Sequence, residues 1–263
     1  MEIITSPQNQ KILEAKKLQQ KKYREAQGQF ITEGLRLTEE ALKKGQVVQV
    51  FYHESLLSTE RGIQLLKGLS AQTKQIDQVS TRALLAICET ETPQGIVAIV
   101  RKTAVQLDDL KPQGKGPLVL LDGLQEPGNL GGILRTLWAV GGEGLLCLEG
   151  TTDPYNSKAV RASMGGVFSV PIVQNLYWPQ IKLWAENLGY MIIAGDIHQA
   201  IDYRQIQWQA KTLLCIGNES RGLIHIPSEE KIIRVKLPLK NQAESLNAAV
   251  AAGILLYEAV RNQ

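Results

Sequence analysis

The stretch "PLVLLDGLQEPGNLGGILRTLWAVGGEGLLCLEG", residues 117 to 150, sets the fold class. It opens on an apolar run closed by Asp122-Gly123 and turns at Pro127-Gly128. A helical pattern then runs to about Val140 before a second apolar run begins at Gly144. Asn129 is suited to cap that helix, and Leu130, Ile133, Leu134, Leu137 and Trp138 make its packed stripe. Strands that are apolar nearly throughout are buried on both faces, which predicts a largely parallel sheet covered by helices. The same alternation continues through "VFSVPIV", "YMIIAGD", "TLLCIGN" and "IIRVKLP". Sheets of this kind bind ligands beyond the carboxyl ends of their strands, so the loops after Gly123, Gly217 and Pro238 are where chemistry is expected.

Residues 1 to 102 read as a separate, smaller α/β unit. The pattern predicts a polar helix near 8–26, a helix at "RLTEEALKKG" that stops at Gly45 and a strand at "VVQVFY". A helix at "TRALLAIC" and a strand at "GIVAIVRK" complete it. The stretch 103–116, "TAVQLDDLKPQGKG", has no clean period and reads as a linker to a domain at 117–263. No internal repeat or low-complexity tract is present.

With 263 residues, 44% of them apolar, the chain can bury the cores of two modest domains. Net charge is only +3, from 29 basic and 26 acidic residues, so the average charge declares no nucleic-acid partner. Between Lys11 and Arg24, however, six basic residues face one acid, Glu14. That run is either a phosphate-facing patch or a solvated helix face. Cys88, Cys147 and Cys215 are far apart, which argues against zinc or a disulfide framework and fits a reducing cytoplasm. The N-terminus lacks the pattern of an export signal, and no apolar run approaches the length of a membrane span, so a soluble, non-exported protein is expected.

Three loops carry candidate chemistry. In "EPGNLGGILRT", Gly131 and Gly132 weaken the first helical turn, and the room they leave would let backbone amides approach an anionic or polar ligand beneath Arg135. In "CIGNESRGL", Gly217-Asn218 permits an unusual backbone and Glu219 puts a carboxylate where the ligand crevice belongs. In "NQAESLNAAVAAGILLYEAVR", 241–261, a helix without charge from Ala248 to Tyr257 begins on Glu244, Ser245 and Asn247. Ser245 and Asn247 cannot both cap it, so one is left to address a ligand or a loop. Taken singly, each loop also fits a purely structural turn. The chain contains no G-x-x-x-x-G-K-[ST], no G-x-S-x-G and no complete G-x-G-x-x-G. His53, His198 and His225 show no metal-ligand spacing, and no metal is expected.

Together, "EPGNLGGILRT", "SKAVRASMGGVFSVP", "IGNESRGL" and "ESLNAAVAAGILLYE" resemble the ordered motifs of the SpoU/TrmH family of SPOUT RNA ribose 2′-O-methyltransferases. The resemblance covers 117–263 densely. The N-terminal "FITEGLRLTEEALKKG" resembles, more loosely, the L30e-like substrate-binding domain of members that act on ribosomal RNA. The resemblance implies an α/β trefoil-knot domain, S-adenosylmethionine bound in the knotted loops, and a homodimer with its site at the subunit interface. Threaded chains are otherwise nearly excluded. It also implies a role for the polar mouth of the last helix, as a wall of the cofactor pocket.

By matching position, Asn129 and Arg135 would be the catalytic pair, Glu219 would orient the site, and Ser245 and Asn247 would serve cofactor and substrate. Leu121, Gly217, Asn218, Leu237 and Leu246 would join them around the cofactor. Lys16, Lys17, Lys21, Lys22 and Arg24, with Arg161 from the second motif, are the expected RNA contacts. Ser220 stands where glycine or alanine is frequent, and the usual glycine before "ESLN" is missing. A guanidinium keeps its proton far above neutrality, so Arg135 suits polarising the 2′-hydroxyl, and whether it or a substrate phosphate takes the proton stays open. Ribosomal RNA, with a 23S guanosine favoured, is the expected substrate; the alternatives are transfer RNA or a non-catalytic RNA-binding protein of the same fold.

Overall fold

A computed structural model of the chain describes residues 3–196, 200–241 and 244–261. His198, and the position before "ESLN" where the family's glycine is missing, lie outside the described residues. Contacts divide the chain into two units, Met1–Thr103 with Tyr155–Phe168, and Ala104–Pro154 with Ser169–Gln263.

In the first unit the expected helix over 8–26 is two helices, α1 (Gln10–Lys17) and α2 (Lys21–Gln27). Arg24 explains the break: its guanidinium is buried and donates to the carbonyls of Leu18 and Gln19, each at 2.8 Å, which stand at the end of α1. The chain continues through β1 (Gln29–Glu33), α3 (Leu35–Lys43), β2 (Val47–Tyr52) and α4 (Glu60–Gln72). It closes with β3 (Ile76–Gln78), α5 (Thr81–Leu85) and β4 (Ile96–Arg101). As predicted, α3 ends at Gly45, whose φ of +67° is the left-handed stop that glycine takes without strain. The sheet order is β1-β4-β2-β3, and Ile12, Leu18, Phe51, Leu84 and Val97 form the core on one face.

Residues 155–168, inside the stretch expected to belong to the second domain, pack on β1. Phe30 lies 5.0 Å from the ring of Tyr155 and 5.9 Å from that of Phe168.

The second unit runs β5 (Leu118–Asp122), α6 (Pro127–Ala139) and β6 (Gly144–Leu148); α7 (Ser157–Ala162) then belongs to the first unit. It resumes with β7 (Ile172–Leu176), α8 (Trp178–Asn187), β8 (Met191–Gly195) and β9 (Ile201–Asp202), and ends with β10 (Thr212–Gly217), β11 (Ile233–Lys236) and α9 (Ala248–Ala259). The seven strands lie in the order β7-β6-β5-β10-β8-β11-β9 with every pair parallel, as their unbroken apolar runs demand. The strand expected at "VFSVPIV" starts only at Ile172, because Pro171 has no N–H for the ladder, and Val167 and Phe168 form a turn instead. The stretch read as a linker is not free: Leu107 and Leu110 are buried in this unit's core. Cys147 and Cys215 are buried in β6 and β10, and burial pushes both thiols well above their ordinary pKa. Among the described residues, no helix is long and apolar enough to cross a membrane.

Strand order reverses between β5 and β10, the switch point at which a crevice opens beyond the carboxyl ends.

Candidate active site

At that switch point, side chains lace three loops together. Asp122, the last residue of β5, is fully buried, and its carboxylate accepts from the amides of Ile224, His225 and Ile226 and from the His225 ring. In return, Asn218 donates to the carbonyl of Gly123 at 2.9 Å while its own oxygen accepts from the amides of Ser220 and Arg221. The turn is narrow: a Cβ on Gly217 would lie 2.4 Å from the carbonyl carbon of Gly222, so only glycine fits.

Glu219 is thereby aimed at the start of α6. Its carboxylate accepts from the amides of Gln125 and Glu126, each at 3.1 Å, and from the side-chain amide of Asn129 at 3.0 Å. Burial pushes the Glu219 pKa up, but the hydrogen bonds from Asn129 and the two backbone amides outweigh it and hold the carboxyl below the ordinary glutamate value. Asn129 is not the helix cap expected. Glu126 caps α6, accepting from the Asn129 amide at 2.6 Å with Pro127 in the first turn, and this frees the Asn129 side chain.

Asn247 resolves the question of the two polar residues before α9. It is the cap, its oxygen accepting from the amides of Ala249 and Val250, while its side-chain NH₂ donates to the Asn129 oxygen at 2.8 Å. The sequence Glu219–Asn129–Asn247–Ala249 is therefore a directed chain in which each amide group both donates and accepts, which fixes the orientation of both asparagines. Ser245 is the residue left over, and it lines the cavity.

That cavity measures about 650 Å³ and is bounded by the ends of β8, β10 and β11 and the approach to α9. Asn129, Gly217, Asn218, Glu219, Leu237, Ser245, Leu246 and Asn247 all border it. Its volume falls in the usual range of small-molecule sites, about 300–1,000 Å³. Apolar walls from Ile216, Leu237, Leu246 and Leu255 face polar groups at Ser245 and Asn129, a lining suited to a flat base carrying polar substituents. The residues present therefore fit an adenosine-bearing cofactor.

Three expectations are corrected. Leu121 does not border the cavity; it is fully buried in β5, and its carbonyl accepts from Thr151. Gly132 serves helix packing, not ligand approach: a Cβ there would lie 3.1 Å from the Ala249 side chain, where α6 crosses α9. Arg135 does not enter the cavity. It stands six residues after Asn129, about 9 Å along the helix and on another face. There it is exposed and borders an open groove with Gly132, Val250, Ile254 and Tyr257.

The expected RNA contacts divide as well. Lys16, Lys21 and Lys22 are exposed on the first unit. Lys17 pairs with Glu14 at 2.7 Å, and Lys21 lies 3.6 Å from Glu25. Arg24 is withdrawn from this set, because its buried guanidinium holds α1 to α2. Arg161 faces Glu33 at 3.4 Å and Glu89 at 3.8 Å, so its charge is met by carboxylates.

Sequence reasoning missed Gln125, whose side chain ties Gly123 to Gly150, and Asp122 and Asp196. Both aspartates sit at the carboxyl ends of parallel strands, a position that was the available signal.

A crevice at a switch point, with a carboxylate and amides converging from three loops, defines a small-molecule-binding α/β enzyme. Residues 116–257 match the model of the SpoU rRNA Methylase family, and residues 9–98 match that of the MRM3-like substrate binding domain. The 23S rRNA (guanosine(2553)-2′-O)-methyltransferase RlmP of Bacillus subtilis is 35% identical over 98% of each chain. The 23S rRNA (uridine(2479)-2′-O)-methyltransferase of Streptomyces viridochromogenes is 30% identical over 90% of this chain and 84% of its own. The AdoMet-bound rRNA methyltransferase of Sinorhizobium meliloti superposes with a TM-score of 0.88 and 32% identity over 99% of this chain and 97% of its own. The chain belongs to the SpoU rRNA methylase family and is an RNA 2′-O-methyltransferase that uses S-adenosylmethionine.

Proposed function

We propose that the protein methylates a ribose 2′-oxygen of 23S ribosomal RNA, with a guanosine as the favoured nucleotide, in the cytoplasm. The observation that carries this reading is the directed chain Glu219–Asn129–Asn247 on the wall of the 650 Å³ cavity. The near-full-length likeness to a guanosine-specific enzyme supports the choice of nucleotide. The MRM3-like domain supports a ribosomal substrate over a transfer RNA.

In this reading, Gly217, Asn218, Leu237, Ser245 and Leu246 hold the cofactor, which supplies a methyl group on a positive sulfonium. Glu219 stays ionised at neutral pH and keeps the loops at 125–129 and 217–226 in register. Asn129 and Asn247 thereby stand at fixed positions at the mouth of α9. Methyl transfer requires the 2′-oxygen to gain negative charge as its proton leaves, and a fixed cation aimed at that oxygen lowers the barrier. Arg135 is the group of the right kind.

Because Arg135 opens away from its own chain's cavity, the reading includes a homodimer in which this arginine reaches the partner's site. The strip beside it supports a second copy as occupant: Val250, Ile254 and Tyr257 are exposed and line the Arg135 groove, and Trp138 is exposed on the same helix as Arg135. The family's deep trefoil knot belongs to the same reading. Lys16, Lys17, Lys21 and Lys22 supply backbone-phosphate contacts that give affinity and not sequence choice.

Mapping 2′-O-methylation across ribosomal and transfer RNA tests it, in a strain lacking the gene and in one carrying Arg135→Ala. Loss of one 23S guanosine mark in both strains is expected. A lost mark confined to transfer RNA, or none lost, overturns the substrate.

A further inference from the structure

The cavity contains a charged pair that the roles above do not use. Asp196 follows β8 and Arg234 lies in β11, and both border the cavity beside Ile216, Val235, Leu237 and Leu255. Arg234 Nη1 donates to Asp196 Oδ2 at 2.6 Å; Nη2 donates to the carbonyl of Pro227 at 2.8 Å and that of Ser228 at 3.3 Å. Both side chains are largely out of water, at 11% and 16% exposure. The Asp196 backbone is pinned too, its amide donating to the carbonyl of Val235 at 2.9 Å.

Such a pair is hard to explain by stability. Removing two charges from water offsets most of their attraction, and an apolar pair of similar volume would hold β8 to β11 as well. What the pair achieves is geometric: a carboxylate held rigid by strand pairing at its backbone and by a guanidinium at its head, on the wall of a cavity that is otherwise mostly apolar. Strands in a sheet lie about 4.8 Å apart. Asp196 therefore stands about 5 Å from β10, which leads into the loop of Glu219, and about 10 Å from β5, which leads into α6 and Asn129.

We propose that Asp196 is a cofactor-binding residue, accepting hydrogen bonds from donors of S-adenosylmethionine distant from its methyl group, and that Arg234 is the positioning residue that holds it. The inference rests on the reading that the 650 Å³ cavity holds the cofactor. Three parts of the cofactor carry such donors, the adenine amino group, the ribose diol and the α-ammonium group, and a carboxylate serves any of them by accepting several hydrogen bonds at once. Methylthioadenosine, which keeps the adenine and the diol and lacks the amino acid, separates the first two from the third.

Calorimetric titration of the full-length protein with S-adenosylmethionine and with methylthioadenosine tests this, alongside thermal melting of each variant. Asp196→Asn, which leaves the Arg234 guanidinium without its carboxylate, is expected to lower the melting temperature while the protein stays folded, and to weaken S-adenosylmethionine binding by about tenfold or more, the scale of a hydrogen bond to a charged group. An equal loss for methylthioadenosine assigns a donor of the adenosine part; a loss for S-adenosylmethionine alone assigns the ammonium. Arg234→Gln is expected to weaken binding in the wild-type background and to have no further effect on Asp196→Asn, because it acts through that carboxylate. Asp196→Ser, with an acceptor of shorter reach, should show the same loss and stands in should Asp196→Asn not fold. Unchanged affinity for both ligands in a folded Asp196 variant overturns the proposal, as does an Arg234 effect that adds to that of Asp196. Leu246→Trp, which fills the cavity, guards the underlying reading: if it too leaves binding unchanged, the cofactor lies elsewhere.

Discussion

The two ends of α6 behave differently although the same short motif contributes both. At the start, Asn129 is tied within one chain to Glu219 and Asn247 by its side chain and to Glu126 by its backbone amide. Two turns later, Arg135 is exposed on a groove of apolar and small residues. In the proposed reading, one chain builds the cofactor wall and leaves the reaction centre to be completed by its partner. In a helix with 3.6 residues per turn, residues six apart cannot share a face, so the motif's spacing itself sends Asn129 and Arg135 to different cavities.

The sharpest way to break this comparison is to remove each end in turn. Arg135→Ala is expected to lower kcat by about 10²–10³-fold, the scale of losing one preorganised donor to a developing oxyanion. It should leave the Kd for S-adenosylmethionine unchanged in titration. A matched loss of cofactor affinity would place Arg135 in the binding wall and erase the distinction.

Glu219→Gln acts at the other end and should weaken cofactor binding by about tenfold, because it replaces a charged acceptor of three hydrogen bonds. Its depressed pKa fixes the sign of the pH effect. The interactions of the charged form are fully present above the ordinary glutamate value and are lost as pH falls through the lower folded value. Cofactor affinity should therefore be flat through the neutral range and fall only in acid; a step near neutrality would mean that another group controls the site.

The first unit offers a weaker test. Replacing Lys16, Lys21 and Lys22 by alanine should reduce the salt slope of RNA binding by about 2–3 and leave cofactor binding alone. An unchanged slope returns these lysines to a solvated helix face. Smallest of all, Asn247→Ala removes a cap worth about 1 kcal/mol, seen as a drop of about 2–4 °C in Tm.

What could be read from the sequence follows from the range of the forces involved. The parallel strands were legible because burial on both faces writes an unbroken apolar run into each, as in "LVLLD" and "TLLCIG". Membership of Glu219, Ser245 and Asn247 in one site came through motif order, and the structure brings all three to one cavity. What escaped depended on partners distant in sequence. Glu126 took the cap expected of Asn129, although Pro127 after it was the available clue. Gly132 packs closely against Ala249, more than a hundred residues away. Arg24 looked like part of a basic patch until its carbonyl partners bent the chain back over it. The place of Asp196 at a strand's carboxyl end is legible, but its partner Arg234 is not, since the pairing of β8 with β11 alone brings the two together.

Subunit complementation tests the division between the two ends of α6 most directly. Arg135→Ala and Glu219→Gln proteins would be mixed, allowed to exchange subunits and assayed for methyl transfer at a cofactor concentration below the wild-type Kd, where the first alone is nearly inactive and the second alone keeps about a tenth of wild-type activity. If Arg135 serves the partner's cavity, about half of the dimers are mixed and each holds one complete site, so activity should return to about a quarter of wild type. No recovery in a mixture shown to contain mixed dimers would contradict the account and place Arg135 and Glu219 in the same chain's site.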